Sequence, residues 1–147
     1  MLSHTAEYAL RTVLFIAQRP GDSPASVDEI ASALALPRNY LSKTLYRLAQ
    51  EGILTSARGR GGGFRLAIAA DKLKLARIVR LFDGIAEGRQ CLLGRTVCSD
   101  EHACDAHASW KAVSAQVASF FTSTTVADLL TGHGSVPQRA ARAARPA

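Results

Sequence analysis

The chain has 147 residues, 48% of them hydrophobic, which excludes a chain that is disordered throughout and allows a folded domain without disulfides. Its formal net charge of +6 favours an anionic partner, and nucleic acid is the first candidate. No apolar run reaches the ~18 residues that cross a bilayer, and the first residues do not resemble a signal peptide, so we expect a cytoplasmic protein with no membrane partner.

The first two helices are predicted by apolar residues that recur at helical spacing. One helix is expected from about Thr5 to Ala17, where the apolar positions fall on a single face. A second, shorter helix follows Ser26, which forms a capping-box pattern with Glu29 at its start. A tight turn through Ala35 and Leu36 then leads into a third helix.

The third helix, from Pro37 to Gln50, divides into an apolar and a polar face. Leu41, Leu45 and Leu48 recur at helical spacing and are expected to face the core. Amide side chains on the opposite face can bind adenine, basic ones can bind guanine or phosphate, and hydroxyl groups suit phosphate. The residues of this polar face are Asn39, Ser42, Lys43, Tyr46, Arg47 and Gln50.

Two short strands, Ile53–Thr55 and Phe64–Leu66, flank a glycine-rich turn that carries Arg58 and Arg60. The glycines make the turn thin enough to enter a minor groove, whose narrow and negative interior favours arginine. Two short helices joined by a tight turn and followed by a hairpin predict a winged helix-turn-helix, in which the second helix lies in the major groove of DNA.

Basic residues dominate the segment 37–66, whose single acid is Glu51. An ordinary solvated surface does not explain this imbalance, although the same fold could also serve protein contacts. We therefore predict a DNA-binding surface on the third helix and the hairpin. Its candidate residues are Arg38, Asn39, Tyr40, Ser42, Lys43, Tyr46, Arg47, Arg58 and Arg60.

Beyond the hairpin, apolar spacing indicates a fourth helix that ends at Asp83 and Gly84, and a long helix from about His107 to Phe121. The chain from Thr131 onward is rich in alanine, arginine, glycine and proline, which indicates a disordered tail. The predicted fold is thus mainly helical with a small hairpin wing. The divisions are a DNA-binding domain 1–83, a cysteine loop 84–106, a helical region 107–130 and a tail 131–147. The apolar side of the long helix carries Trp110, Val113, Val117, Phe120 and Phe121.

All three cysteines lie in the loop, as Cys91-x6-Cys98-x5-Cys104-x2-His107. Thiolates are preferred ligands of iron–sulfur clusters and of zinc, and a histidine can complete four-coordination. Structural zinc sites usually use more closely spaced cysteine pairs, so the wider spacing favours a cluster. Zinc and metal-free thiols are the alternatives, and His102 is a further candidate ligand within the loop.

Four motifs together resemble the IscR/NsrR family of bacterial regulators over residues 1–130. They are Tyr8-Ala9-Leu10-Arg11, Tyr40-Leu41, Arg58-Gly59-Arg60-Gly61-Gly62-Gly63-Phe64 and the three-cysteine loop. The resemblance implies a homodimer held by the long helix and bound to a palindromic operator. It also implies that the cluster loop lies near the DNA-binding domain of the partner.

The resemblance further implies a set of cluster ligands. The segment from Cys104 to Trp110 is similar to the part of IscR that supplies its third cysteine and its histidine, which favours a 2Fe-2S cluster with His107 as fourth ligand. Glu7 lies where NsrR-like relatives place an acidic ligand from the other subunit, so Glu7 and a 4Fe-4S cluster are the alternative.

The implied function is regulation of transcription through a cluster that senses redox state, iron supply or nitric oxide. Two other functions are compatible with the same residues: a small iron–sulfur electron carrier, and a metal-free thiol repressor of the same fold. We expect no enzyme, because the sequence shows no nucleotide fingerprint and no arrangement for nucleophilic or acid–base catalysis.

Overall fold

The computed structural model describes residues 2–88 and 91–132 and is mainly helical with one antiparallel hairpin, as predicted. Short 3-10 turns at Pro20–Asp22 and Ile85–Glu87 lie between the longer elements. No helix in these described ranges is both long and apolar enough to span a bilayer. In chain order the elements are α1 (His4–Ala17), α2 (Val27–Leu34), α3 (Arg38–Gln50), β1 (Leu54–Ala57), β2 (Gly63–Leu66), α4 (Leu75–Val79), α5 (His107–Ser123) and α6 (Val126–Gly132).

Helices α1 to α3 form the core of the amino-terminal half. The predicted capping box of α2 is present, with Ser26 Oγ accepting from the Glu29 amide and Glu29 Oε2 accepting from the Ser26 amide. Helix α2 ends at Ala35, whose φ of 52° turns the chain toward α3. Helix α1 packs against both α2 and α3, so the two helices after it are held at a fixed crossing.

The hairpin pairs β1 with β2 in antiparallel register, with Leu54 opposite Leu66 and Ala57 opposite Gly63. Strand β1 begins one residue later than predicted, at Leu54, and continues to Ala57, and β2 begins one residue earlier, at Gly63. Ala25, just before α2, forms a bridge to Phe64 through two backbone hydrogen bonds of 3.0 and 2.8 Å. The wing is therefore attached directly to the start of the helix-turn-helix.

In the carboxyl-terminal half, α4 packs against both α1 and α5, and α6 also contacts α1. Helix α5 begins at His107 as predicted. The short helix α6 was not predicted, and it includes Thr131 and Gly132, which the sequence had placed at the start of a disordered tail. Residues 133–147 of that predicted tail lie outside the described residues. The predicted boundaries at 83/84 and 106/107 stay predictions.

Candidate DNA-binding surface and metal site

Helix α3 has the two faces that its sequence predicts. Leu41, Leu45 and Leu48 are at most 1% exposed and pack into the core. On the opposite face, the exposed side chains are Arg38, Asn39, Lys43, Tyr46, Arg47 and Gln50, and Ser42 is half-buried. The burial of the leucines fixes the rotation of the helix, so a row of polar and basic groups is presented to solvent.

Two contacts organise this exposed row. Arg38 Nε lies 2.5 Å from Asp28 Oδ1 on α2, and both side chains are largely exposed. Gln50 donates to the Tyr46 hydroxyl at 3.1 Å, one turn along the helix. An exposed ion pair of this kind contributes little stability, so a DNA phosphate can compete with Asp28 for Arg38.

Tyr40 differs from the other candidate residues of α3. Its hydroxyl forms a hydrogen bond with Thr5 on α1, and its ring packs edge-to-face on Tyr8 with centroids 5.6 Å apart. The side chain is half-buried between two helices rather than presented with the exposed row. We therefore assign it to the α1–α3 contact and leave it out of the proposed reading face.

The wing presents Arg58 and Arg60 at its exposed tip. The tip is closed by a backbone hydrogen bond of 3.0 Å from Gly62 to Gly59. A Cβ on Gly62 would lie 2.3 Å from the Ala57 carbonyl oxygen, so this close approach requires glycine. The two arginines thus project from a narrow turn, as the sequence predicts for a segment that enters a groove.

The three cysteines converge, with their sulfur atoms all within 4.8 Å of one another. The Sγ atom of Cys104 lies 3.8 Å from that of Cys91 and 3.7 Å from that of Cys98. Cys104 is buried, whereas the other two are half-buried. The loop 91–104 thus brings together three soft ligand atoms that are far apart in sequence.

His107, the first residue of α5, borders this group of three sulfurs: its Nδ1 lies 3.1 Å from Cys98 Sγ. Its other nitrogen, Nε2, lies 3.0 Å from Asp100 Oδ1. Lys111 Nζ contacts both oxygens of the same carboxylate at 2.8 Å. Donation from Lys111 and from His107 lowers the pKa of Asp100 below its usual value. No sequence motif indicated Asp100, whereas Lys111 could have been noticed because it shares a helix face with His107 at i+4.

The thiols differ in acidity. A backbone hydrogen bond from Arg95 lowers the pKa of Cys91 to about 7, against the opposing effect of burial. The backbone amide of Cys104 also lowers the pKa of Cys98, but burial and the neighbouring thiols outweigh it, so that pKa is raised. Because the thiolate is both the metal ligand and the nucleophile, Cys91 is the most readily activated of the pair.

The group lines a cavity of ≈ 350 Å³ together with side chains of α5, including Trp110. Three sulfur atoms, one imidazole nitrogen and this volume fit a small iron–sulfur cluster, whose preferred ligands are thiolates with histidine as a known substitute. His102 is exposed and lies outside the group of sulfurs. Glu7 lies half-buried on α1 and is not part of this group within one chain, and its role as a ligand from a partner stays a prediction.

Comparisons with known proteins show which family the chain resembles. A model of the Rrf2 family, described as iron-dependent transcriptional regulators, matches residues 2–132. An HTH-type transcriptional regulator of Aquifex aeolicus is 33% identical over 132 residues, covering 88% of this chain and 91% of the relative. IscR of Erwinia tasmaniensis is 26% identical over 129 residues, covering 88% and 78%. Among solved structures, CymR, the global cysteine regulator of B. subtilis, has a TM-score of 0.73 at 26% identity, covering 89% of this chain and 96% of CymR.

Proposed function

The chain belongs to the Rrf2 family of transcriptional regulators, and from that premise we propose that its operator binding is controlled by an iron–sulfur cluster. The ligands in this proposal are Cys91, Cys98, Cys104 and His107. The family comprises DNA-binding regulators rather than enzymes, which confirms the predicted class and favours it over an electron carrier. The winged helix-turn-helix of the predicted fold class is confirmed by the similarity to the solved structure of CymR.

The observation that carries the proposal is the convergence of the three sulfur atoms, with an imidazole nitrogen 3.1 Å from one of them. Thiols that served only as small apolar residues would have no reason to meet at one point beside a histidine. The similarity to IscR supports iron–sulfur chemistry in particular. When bound, the cluster would supply one-electron redox chemistry and a target for oxidants or nitric oxide. We favour the 2Fe-2S form with His107 as fourth ligand.

The chain's own residues connect this site to the DNA-binding surface. Ligation would tie the loop 91–104 to the first turn of α5, because His107 opens that helix. Helix α5 packs on α4, α4 packs on α1, and α1 packs on the reading helix α3. Without this ligation the loop and the start of α5 are free to move relative to each other. A free-energy difference of a few kcal/mol between the two arrangements is enough to change DNA affinity.

The proposed DNA contacts follow from the exposed surfaces. The face of α3 that includes Asn39, Lys43 and Arg47 lies in the major groove, and Arg58 and Arg60 enter the adjacent minor groove. We propose that a homodimer, formed through α5, presents two such surfaces to a palindromic operator, whose half-sites match the twofold symmetry of the protein.

Iron and acid-labile sulfide analysis of protein purified without oxygen tests this function. We expect about two of each per subunit, as a 2Fe-2S cluster requires, with absorbance in the visible range. A Cys98→Ala variant should lose the iron and the redox response of operator binding, whereas Thr96→Ala, in the same exposed loop, should keep both. Four iron atoms per subunit would favour the 4Fe-4S form. Absence of iron after reconstitution would contradict a cluster.

A metal-free thiol regulator is the second candidate, favoured by the contact between Cys91 and Cys104. Their sulfurs are 3.8 Å apart, and the pKa of Cys91 is lowered to about 7, so a reactive thiolate lies beside a second thiol. Hydrogen peroxide would take two electrons from this pair: the Cys91 thiol, reacting as its thiolate, is oxidised to a sulfenic acid with release of one water, and the Cys104 thiol then displaces a second water to form the disulfide. A reversible shift of two hydrogen masses between reduced and peroxide-treated protein, with no iron bound, would select this candidate.

A further inference from the structure

We propose that Asp100, held by Lys111, is a positioning residue that orients Nδ1 of His107 toward the sulfur of Cys98. This inference deepens the proposed function and rests on it, because it concerns the fourth ligand of the same site. Nothing in the spacing of the cysteines identifies Asp100. The contacts of the His107 imidazole ring identify it instead.

The two nitrogens of His107 have different partners. Nε2 faces the carboxylate of Asp100 at 3.0 Å, and Nδ1 faces the sulfur of Cys98 at 3.1 Å. An ionised carboxylate can only accept a hydrogen bond, so the hydrogen is on Nε2. In a neutral imidazole the lone pair is then on Nδ1, which is the form and the orientation that a metal ligand requires.

Lys111 holds the carboxylate in place. It is four residues after His107 on α5, so the two side chains share one face of that helix. Its Nζ lies 2.8 Å from each oxygen of Asp100, which orients the carboxylate plane as well as its position. The aspartate in the loop is thereby linked to two successive turns of α5.

The stability of the fold does not account for this arrangement. The side chains of Asp100 and Lys111 are 72% and 61% exposed, and exposed ion pairs contribute little to folding. The His107 side chain is 18% exposed, so it is the least exposed of the three side chains. A histidine ligand commonly donates its other ring hydrogen to a carboxylate, and loss of that acceptor typically weakens metal affinity by about 10–100-fold.

Titration of the reduced, metal-free full chain with Co²⁺ tests the proposal. Cobalt reports its ligands through visible absorbance, and it requires no assembled cluster. We expect Asp100→Ala to bind Co²⁺ about 10–100-fold more weakly than the unmodified chain. The visible absorbance of its bound cobalt should differ from that of the unmodified chain in the same direction as the absorbance of His107→Ala. Asp100→Asn keeps an oxygen that accepts from Nε2 while losing the charge, so it should recover most of the affinity.

Asp105→Ala is the matched control, since it removes the same charge from an exposed position immediately after the loop 91–104. Co²⁺ binding by Asp100→Ala equal to that of the unmodified chain or of Asp105→Ala would overturn the proposal. So would an Asp100→Asn variant as weak as Asp100→Ala, because charge alone would then explain the effect. Co²⁺ binding by His107→Ala equal to that of the unmodified chain would overturn the proposal as well. Failure of the proposed function is a separate result, the absence of iron, which this titration does not measure.

Discussion

Lys43 and Arg47 lie one turn apart on the exposed face of α3, but their chemistry differs. A lysine ammonium is a compact charge suited to phosphate, whereas the planar arginine fork can make two hydrogen bonds to one guanine. Lys43→Ala should therefore weaken binding to all sequences alike and reduce the salt dependence by about 0.9 per lost phosphate contact. Arg47→Ala should cost ~1–3 kcal/mol and relax the base preference at one position.

Fluorescence anisotropy with an operator duplex and its single-base variants, over a series of salt concentrations, measures both effects. Arg80→Ala removes one positive charge from an exposed position just after α4, outside α3, and serves as the charge control. If Arg47→Ala leaves affinity and base preference unchanged, Arg47 does not read a base.

Helical spacing was sufficient to predict which side of α3 is buried, because three leucines on one face leave a single rotation that covers them. It was not sufficient for Tyr40, whose hydroxyl appears polar in the sequence but bonds to Thr5 on another helix. Asp100 was missed for a related reason, since its contact with His107 depends on the path of an irregular loop. Periodicity predicts the face of a helix, whereas contacts between elements depend on their crossing in space.

The wing depends on the bridge between Ala25 and Phe64, and Gly63 is the residue that permits it. A Cβ at Gly63, where φ is 150°, would lie 2.4 Å from the Ala25 carbonyl oxygen, so the backbone itself would have to move. We expect Gly63→Ala to destabilise the chain by about 1–3 kcal/mol, the usual cost of such backbone strain, and to weaken DNA binding because Arg58 and Arg60 lose their support.

Urea unfolding and operator affinity measure these two consequences. Gly61→Ala is the control, because Gly61 also has a positive φ but has nothing within 4 Å of the added Cβ. Equal stability and equal affinity of the two variants would show that the bridge to Ala25 does not position the wing.

The sequence predicted the hairpin from its glycine-rich turn but could not predict the bridge, because a single paired residue has no periodicity. Helix α6 was missed although Thr125 and Asp128 form reciprocal hydrogen bonds at its start. Its seven residues are too few to show an amphipathic repeat. Helix α6 is attached to the core by its packing on α1 and by the buried Val126, whose amide donates to the Leu73 carbonyl.

Helix α5 is unusually apolar for a helix that lies mostly on the surface of one chain. Its buried residues are Ser114 and Phe121, whereas Val113 and Phe120 are 49% and 50% exposed. Lys111 is the one lysine or arginine in its sequence, and the helix contains no acid. The apolar side predicted from the sequence is thus divided between the chain's own core and solvent. A second face of this kind is typical of a helix that packs against a partner.

Phe120→Glu should therefore convert the protein to a monomer, because it places a charge at the centre of the proposed contact between two α5 helices. Multi-angle light scattering would show about half the mass of the unmodified protein, and affinity for a palindromic operator would fall toward that for a half-site. Ala115→Glu is the control, since Ala115 is exposed on the opposite side of the same helix. If Phe120→Glu has the mass of the unmodified protein, α5 does not hold the dimer.

The iron content of the monomeric variant distinguishes the two candidate fourth ligands. A site completed by His107 lies within one chain, so its iron content should persist, whereas a site completed by Glu7 of a partner should lose its cluster when the subunits separate.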